Sequence, residues 1–277
     1  MLALLGCHPD PESILGPDPE ARYEVRAYAL AGDVWSPGAV VAHGFSSLHA
    51  VEWDGALVVP GLRAEPPTAW EERFPSLFVD ALVTTDGETW TVRRHEVDAP
   101  GRSLLDPAIV TGPDGVALWF VRADGVGDPA TRRTEIVRAR WDGERFGDAE
   151  VWHAGEGLVD PSPVWRDGTW EVLATKGARD VVALPEGRAV LGGATVPFAM
   201  GDTVLAQRGH RPVLVVGGAE ETVPIAIPEG ETCASPVAGT VAGRSLLLCV
   251  NERGSGHPSP PTPLPAPRGE GSAAAGR

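Results

Sequence analysis

A chain of 277 residues with 34 glycines, 27 prolines and a formal net charge of −15 is long enough to bury a sizeable core. It is too acidic to track the phosphates of nucleic acid or an anionic lipid surface, which need clustered positive charge. The glycines and prolines fall mostly as single turn signals between short Val, Trp, Leu and Thr runs. No run keeps helical periodicity beyond a turn or two, so the composition predicts an all-β domain.

The chain opens on Leu2-Ala3-Leu4-Leu5-Gly6-Cys7, an apolar run ending in cysteine, followed by a polar, proline-rich stretch to Glu20. This resembles a bacterial lipobox, which implies lipidation at Cys7 and a tether over residues 1–20. It lacks the basic flank and longer apolar core of a signal segment, and a few frayed apolar residues are the plainer alternative. With Cys7 lipidated, Cys233 and Cys249 remain as an even pair, either a disulfide between neighbouring strands or two buried thiols. The expected location is extracytoplasmic, as a lipoprotein or a secreted protein, with membrane contact only through the N-terminal anchor.

Tyr23–Leu30 and Ala39–His43 then read as two strands with no partner nearby in the sequence. Ser47-Leu48-His49-Ala50-Val51-Glu52-Trp53 leads into the turn Asp54-Gly55 and begins a hairpin. The same unit returns as Leu105-Asp106-Pro107-Ala108-Ile109-Val110 and, 54 residues later, as Val159-Asp160-Pro161-Ser162-Pro163-Val164. Each is followed by Asp-Gly and a second strand. Val196-Pro197-Phe198-Ala199 is a weaker copy, and Cys233-Ala234-Ser235-Pro236-Val237 repeats the pattern with cysteine standing where the aspartate did. Two further strand-like runs, such as Leu77–Thr84 and Thr89–Val97, separate consecutive copies. Four strands per unit at roughly 40–55 residues per unit is the pattern of a propeller blade.

The last unit has only two strands before a Pro/Gly/Ser/Ala tail at residues 254–277, which has little to bury. The two unpartnered N-terminal strands supply what it lacks. The expected fold is a five-bladed β-propeller over residues 21–253, closed by N-terminal strands completing the last blade, with no sheet edge left open at the seam. The Asp-Pro-x-x-Val strand followed by Asp-Gly and an aromatic strand resembles the five-bladed glycosidase superfamily of arabinanases, xylosidases and fructosidases. Thr84-Thr85-Asp86-Gly87-Glu88-Thr89-Trp90 is similar to the Asp-box turn of sialidases, a structural hairpin turn that does no chemistry.

Candidate chemistry gathers where the inner strands begin. Asp106 and Asp160 stand at equivalent depth on adjacent units, as a carboxylate-assisted glycosidase uses them. They also suit a plain structural role, capping their own turns. The resemblance implies an aspartate base, a second aspartate and a glutamate acid, yet the first unit offers Ser47, and Glu52 and Glu171 are merely the glutamates on inner strands. The second strands end at Arg63, Arg122, Lys176 and Arg208, a basic residue at the same point of each unit, with Arg253 near the last. Converging, these would form a cationic ring suited to a carboxylate or phosphate. Otherwise they pair with aspartates across the channel. His49 and Glu52 lie on the first inner strand, and Trp70 sits in a loop whose residues 66–73 suit a short helix. These are further ligand contacts, with a hydrogen-bonded core histidine and a packed-down loop as the alternatives. Most of Trp53, Trp90, Trp119, Trp141, Trp165 and Trp170, which recur at equivalent turns and strands, are expected to pack between blades.

The function these features support is a monomeric, envelope-tethered or secreted propeller that binds a small anionic or carbohydrate ligand without a complete catalytic set. A glycoside hydrolase using Asp106 and Asp160 is the alternative. No cofactor or metal is implied, because Cys-x-x-Cys and His-Glu-x-x-His are both missing from the sequence.

Overall fold

The computed structural model describes residues 23–63, 77–99, 104–123, 132–177 and 179–252. Among these residues there are twenty-one strands and no helix. Strand β1 (Tyr23–Ala31) forms a hairpin with β2 (Val34–His43) and runs antiparallel to β21 (Arg244–Glu252), with Tyr23 opposite Glu252 and Ala29 opposite Leu246. Strand β21 in turn pairs with β20 (Ala234–Val241). The two ends of the described chain therefore share one sheet, in the order β2-β1-β21-β20.

Four antiparallel meanders lie between those ends. The first contains β3 (Phe45–Ser46) and β4 (Val51–Trp53), which are two pieces of one inner strand, then β5 (Ala56–Arg63), β6 (Leu77–Thr84) and β7 (Thr91–Val97). The second is β8 (Leu105–Gly112), β9 (Gly115–Ala123), β10 (Arg133–Trp141) and β11 (Phe146–Glu156). It touches the first through a parallel contact of Phe146 with Val97. The third is β12 (Leu158–Arg166), β13 (Thr169–Lys176), β14 (Asp180–Leu184) and β15 (Arg188–Gly192). The fourth is β16 (Thr195–Met200), β17 (Thr203–Arg208), β18 (Arg211–Val216) and β19 (Ala219–Thr222). Inner strands of successive sheets lie together: β5 with β8, β8 with β12, β12 with β16, β16 with β20, and β20 with β4 and β5.

The turn chemistry explains why these pieces are hairpins. Asp54 and Gly55 have φ of 53° and 72°, and Asp167 and Gly168 have 50° and 81°. Both central residues are left-handed, which is the turn that matches strand twist and favours Asp-Gly. Asp86 organises a different turn: its Oδ1 accepts the N–H groups of Glu88 at 2.8 Å and Thr89 at 2.7 Å. These bonds hold its pKa down to about 2. The turn leans on the closing sheet, where Arg244 donates to Glu88 and Gly87 lies against Leu246 and Val241.

Aromatic side chains fill the spaces between sheets. Trp53, Trp141, Phe146 and His95 pack together between the first and second, with Trp53 and Trp141 edge to face at 5.2 Å. Trp119, Trp152 and Trp170 do so between the second and third. Gly112 belongs to this joint, because a Cβ there would stand 2.5 Å from the Trp170 ring. Trp165 departs from the expected inter-sheet role: it is 41% exposed, with only its edge contact to Trp170. The expected tether at 1–20, the tail at 254–277 and the short helix at 66–73 lie outside the described residues.

Candidate functional site

One strained conformation recurs where the five inner strands begin. Ser47, Asp106, Asp160, Val196 and Ser235 have φ between 45° and 52°. A left-handed residue other than glycine costs roughly 1 kcal/mol. At the last four the pairing slips, between Leu105 and Ala108, Val159 and Ser162, Thr195 and Phe198, and Ala234 and Val237. Such a bulge takes a residue out of the ladder and re-aims its side chain. Proline follows the bulged residue in those four units, which fixes the next φ. The structure thereby corrects the alignment of the last unit: Ser235, not Cys233, is equivalent to Asp160. Cys233 instead forms a disulfide with Cys249, the two Cα atoms 4.8 Å apart.

The bulges are tied to one another around the molecule. The Asp160 N–H donates to Asp106 Oδ2 at 3.3 Å. The Val196 N–H donates to Thr175 Oγ1 at 2.8 Å, and the Ser235 N–H to Gln207 Oε1 at 2.8 Å. Each strand start is thus held by a side chain of the preceding sheet. Ser47 donates to Asp106 from the first unit. Sequence reasoning missed Thr175 and Gln207, although each directly precedes one of the basic residues that it singled out.

Asp106 and Asp160 are half-buried and close enough to oppose each other's ionisation. Burial raises the pKa of Asp106, against hydrogen bonds from Ser47 and the Asp160 N–H and the positive charge of Arg132. Burial first, then the charge of Asp106, raises that of Asp160 to about 8, against hydrogen bonds from the Thr175 hydroxyl and the Val196 N–H. The two carboxyls thus share a space that disfavours the ionised form of each. Arg132 was also missed, since it lies just before β10 with nothing in the local pattern to mark it.

Beneath the bulges, two residues further along each strand, His49, Ala108, Ser162, Phe198 and Val237 are all buried. His49 Nε2 lies 3.4 Å from Ser162 Oγ, and its ring meets Phe198 edge to face at 4.9 Å. Ser162 Oγ also accepts the Ala199 N–H at 2.8 Å. Burial pushes the His49 pKa down to about 3, with the Ile109 backbone opposing, so the ring is neutral. His49 is accordingly a hydrogen-bonded floor residue beneath the aspartates and 6% exposed.

Glu52 is not with them. Five residues beyond Ser47, at about 3.3 Å per strand residue, it reaches the opposite end of the inner strand. Glu171 lies at that end too, bonded to Arg166 and Arg188. The basic positions are equivalent in register, and each arginine among them stands by an acid, although Arg63 shares Asp80 with Arg94, which holds that acid at 2.9 Å. Arg63 pairs with Asp80 at 3.6 Å, Arg122 donates through Nε to Glu135 at 2.8 Å, and Arg208 pairs with Glu220 at 2.9 Å. Lys176 is exposed beside Asp180 in the register, and the equivalent residue of the closing sheet is Asn251, which donates to Glu24. Arg63, Arg122 and Arg208 thus have acid partners along their own sheets. Trp70, Cys7 and Arg253 lie outside the described residues. No group of three or more His, Cys, Asp or Glu side chains able to hold a metal occurs among the described residues.

No protein-family model matches the chain, and no curated protein does. Solved structures similar to it include a xylan beta-1,4-xylosidase from Bacillus halodurans C-125, at 10% identity over 76% of this chain and 53% of that one, with a TM-score of 0.49. The chain thus spans about half the length of that enzyme. A GH43_1 enzyme from Xanthomonas citri matches at 12% identity over 76% of this chain and 89% of that one, with a TM-score of 0.46. The Bacillus subtilis arabinanase Arb43A matches at 10% identity over 73% and 92%, also with a TM-score of 0.46. Likenesses at this level assign no activity.

Proposed function

We propose that the five sheets are the blades of a five-bladed β-propeller whose axial mouth binds a small polyhydroxylated ligand, a carbohydrate, through Asp106 and Asp160. The observation that carries this reading is the half-buried aspartate pair, joined through the Asp160 N–H and Asp106 Oδ2, with both carboxyls shifted toward the protonated form. A carboxyl donates when protonated and accepts when ionised, which complements sugar hydroxyls, each both donor and acceptor. The Ser47 and Thr175 hydroxyls stand against the same two carboxyls. A neutral sugar suits this site better than an anion, because Arg122 and Arg208 are each paired with a glutamate.

Binding without turnover is the preferred reading. The two aspartates share one side of the mouth, and the inner-strand glutamates, Glu52 and Glu171, stand at the other end of those strands. A raised carboxyl is also what a general acid requires, so the glycoside hydrolase remains the second reading. Calorimetric titration with neutral and acidic oligosaccharides tests both. A neutral sugar should bind, with affinity lost at least tenfold in Asp106→Ala and Asp160→Ala, and aryl-glycosides should not turn over. Turnover abolished by Asp106→Asn and Asp160→Asn would instead establish the hydrolase, and no saturable sugar binding would remove both.

An extracytoplasmic location, through lipidation at Cys7 or secretion, belongs to the same proposal. The Cys233–Cys249 disulfide fits an oxidising compartment. Detergent partitioning of the full-length protein, lost in Cys7→Ser, tests the anchor.

A further inference from the structure

The spaces between sheets are filled unequally. Tryptophans close the joint between first and second sheets and the joint between second and third. Between the fourth sheet and the closing sheet there is instead an open cavity of about 500 Å³. The fourth sheet has strands of only four to six residues, and the facing residue of β20 is Ala238. Met200, Leu205 and Leu214 form one wall, Leu247 the other, and Trp35 stands at the side. The volume is that of a small-molecule site, roughly 300–1,000 Å³.

Among the described residues only one charged side chain contributes to the lining, Glu52. Its side chain is exposed and makes no ion pair with another described residue. A largely apolar chamber, with the hydroxyls of Thr203, Thr240 and Ser245 and one carboxylate that pairs with no described base, selects a ligand with an apolar body and a cationic head. We propose that this cavity, at the end of the inner strands away from Asp106 and Asp160, is a second binding site that takes an elongated apolar amine, its ammonium group resting on Glu52. An acid of the same shape would be repelled there, and a neutral isostere would keep only the apolar contacts.

Three probes of one shape separate these terms: phenylbutylamine, phenylbutanol and phenylbutyrate, titrated into the full chain by calorimetry and followed by tryptophan emission, to which Trp35 contributes. The amine should bind most tightly and the acid most weakly. Glu52→Gln should remove the preference of amine over alcohol, about threefold to fivefold for a charge pair at an exposed position, while alcohol binding stays unchanged. Ala238→Phe should abolish binding of all three by filling the chamber. Acid binding as tight as amine binding would overturn the proposal. So would an unchanged order in Glu52→Gln, absence of saturable binding, or retained affinity in folded Ala238→Phe. If Ala238→Phe does not fold, the exposed Glu52→Gln still decides.

Discussion

The backbone N–H of Asp160 reaches the side chain of Asp106, so that one aspartate holds the strand on which the other stands. Two sheets are joined by this bond, and two carboxyls are brought into one half-buried space where both cannot ionise cheaply.

That arrangement sets a pH dependence. The folded-state pKa of Asp160, about 8, lies above the ordinary aspartate value near 3.8. Between those limits the folded protein binds more protons than the unfolded chain, so stability falls as pH rises through the window and is fullest below it. Replacing the ionisable group by Asp160→Asn should flatten the slope. We expect the variant to match the wild type near pH 4 and to exceed it at pH 9 by on the order of 1 kcal/mol, a figure reduced for partial solvent exposure. Urea unfolding at the two pH values checks this, and equal slopes in both proteins would show that the proton is not held there.

Arg122 and Glu135 give a second prediction, and one that reverses the expectation of an anion-binding base. Their side chains are 17% and 15% exposed and bonded to each other within the second sheet. Removing one strands the other in a poorly solvated place. Arg122→Ala should therefore cost about 1–3 kcal/mol, with Arg122→Ala/Glu135→Ala less destabilised than the sum of the single variants. A double-mutant cycle by chemical denaturation measures the coupling. Additive losses would show that the two side chains are not coupled.

How much of this was legible beforehand depends on range. The Asp-Gly turns and the recurrence of Asp106-Pro107 as Asp160-Pro161 are local signals, and they located hairpins that the structure contains. The pairing of Tyr23–Ala29 with residues 246–252 followed from counting strands that lacked partners. What failed was reading a side chain's neighbours from equivalent positions. Arg63, Arg122 and Arg208 do occupy matching register, but whether a base faces a channel or an acid depends on the third and fourth strands, where Asp80, Glu135 and Glu220 stand. The two-residue slip at Ser235 failed for a related reason. Ser162-Pro163 resembles Ser235-Pro236 in letters, whereas the bulge aligns the latter with Asp160-Pro161.

The closing sheet carries its own staple. Cys233 and Cys249, both buried, are bonded across a 16-residue separation. Closing a loop of this length removes about 3 kcal/mol of denatured-state entropy in the chain-entropy account. Cys233→Ala/Cys249→Ala should lose stability of that order. If the sheet of β20, β21, β1 and β2 joins the ends of one cooperative unit, near-UV dichroism and backbone signals should still melt together. Two separated transitions, with the N-terminal strands leaving first, would show that the remaining sheets hold without this seam.

The joint between second and third sheets gives a final test of what fixes their angle. Arg138 is 8% exposed in its side chain, with its guanidinium carbon 5.7 Å from the Trp119 ring centre and 5.3 Å from that of Trp170. Its outer nitrogens reach Asp114 at 3.3 Å and Glu150 at 3.8 Å. A planar cation can lie against two rings and still present donors outward, which an ammonium cannot. Arg138→Lys should then cost about 1 kcal/mol despite conserved charge. Trp119→Ala, which empties a fully buried site, should cost about 3–5 kcal/mol. If Arg138→Lys proves neutral in denaturant titrations, the acids alone hold the residue. In that case the stacked rings position the two sheets by shape and burial, with no help from the charge between them.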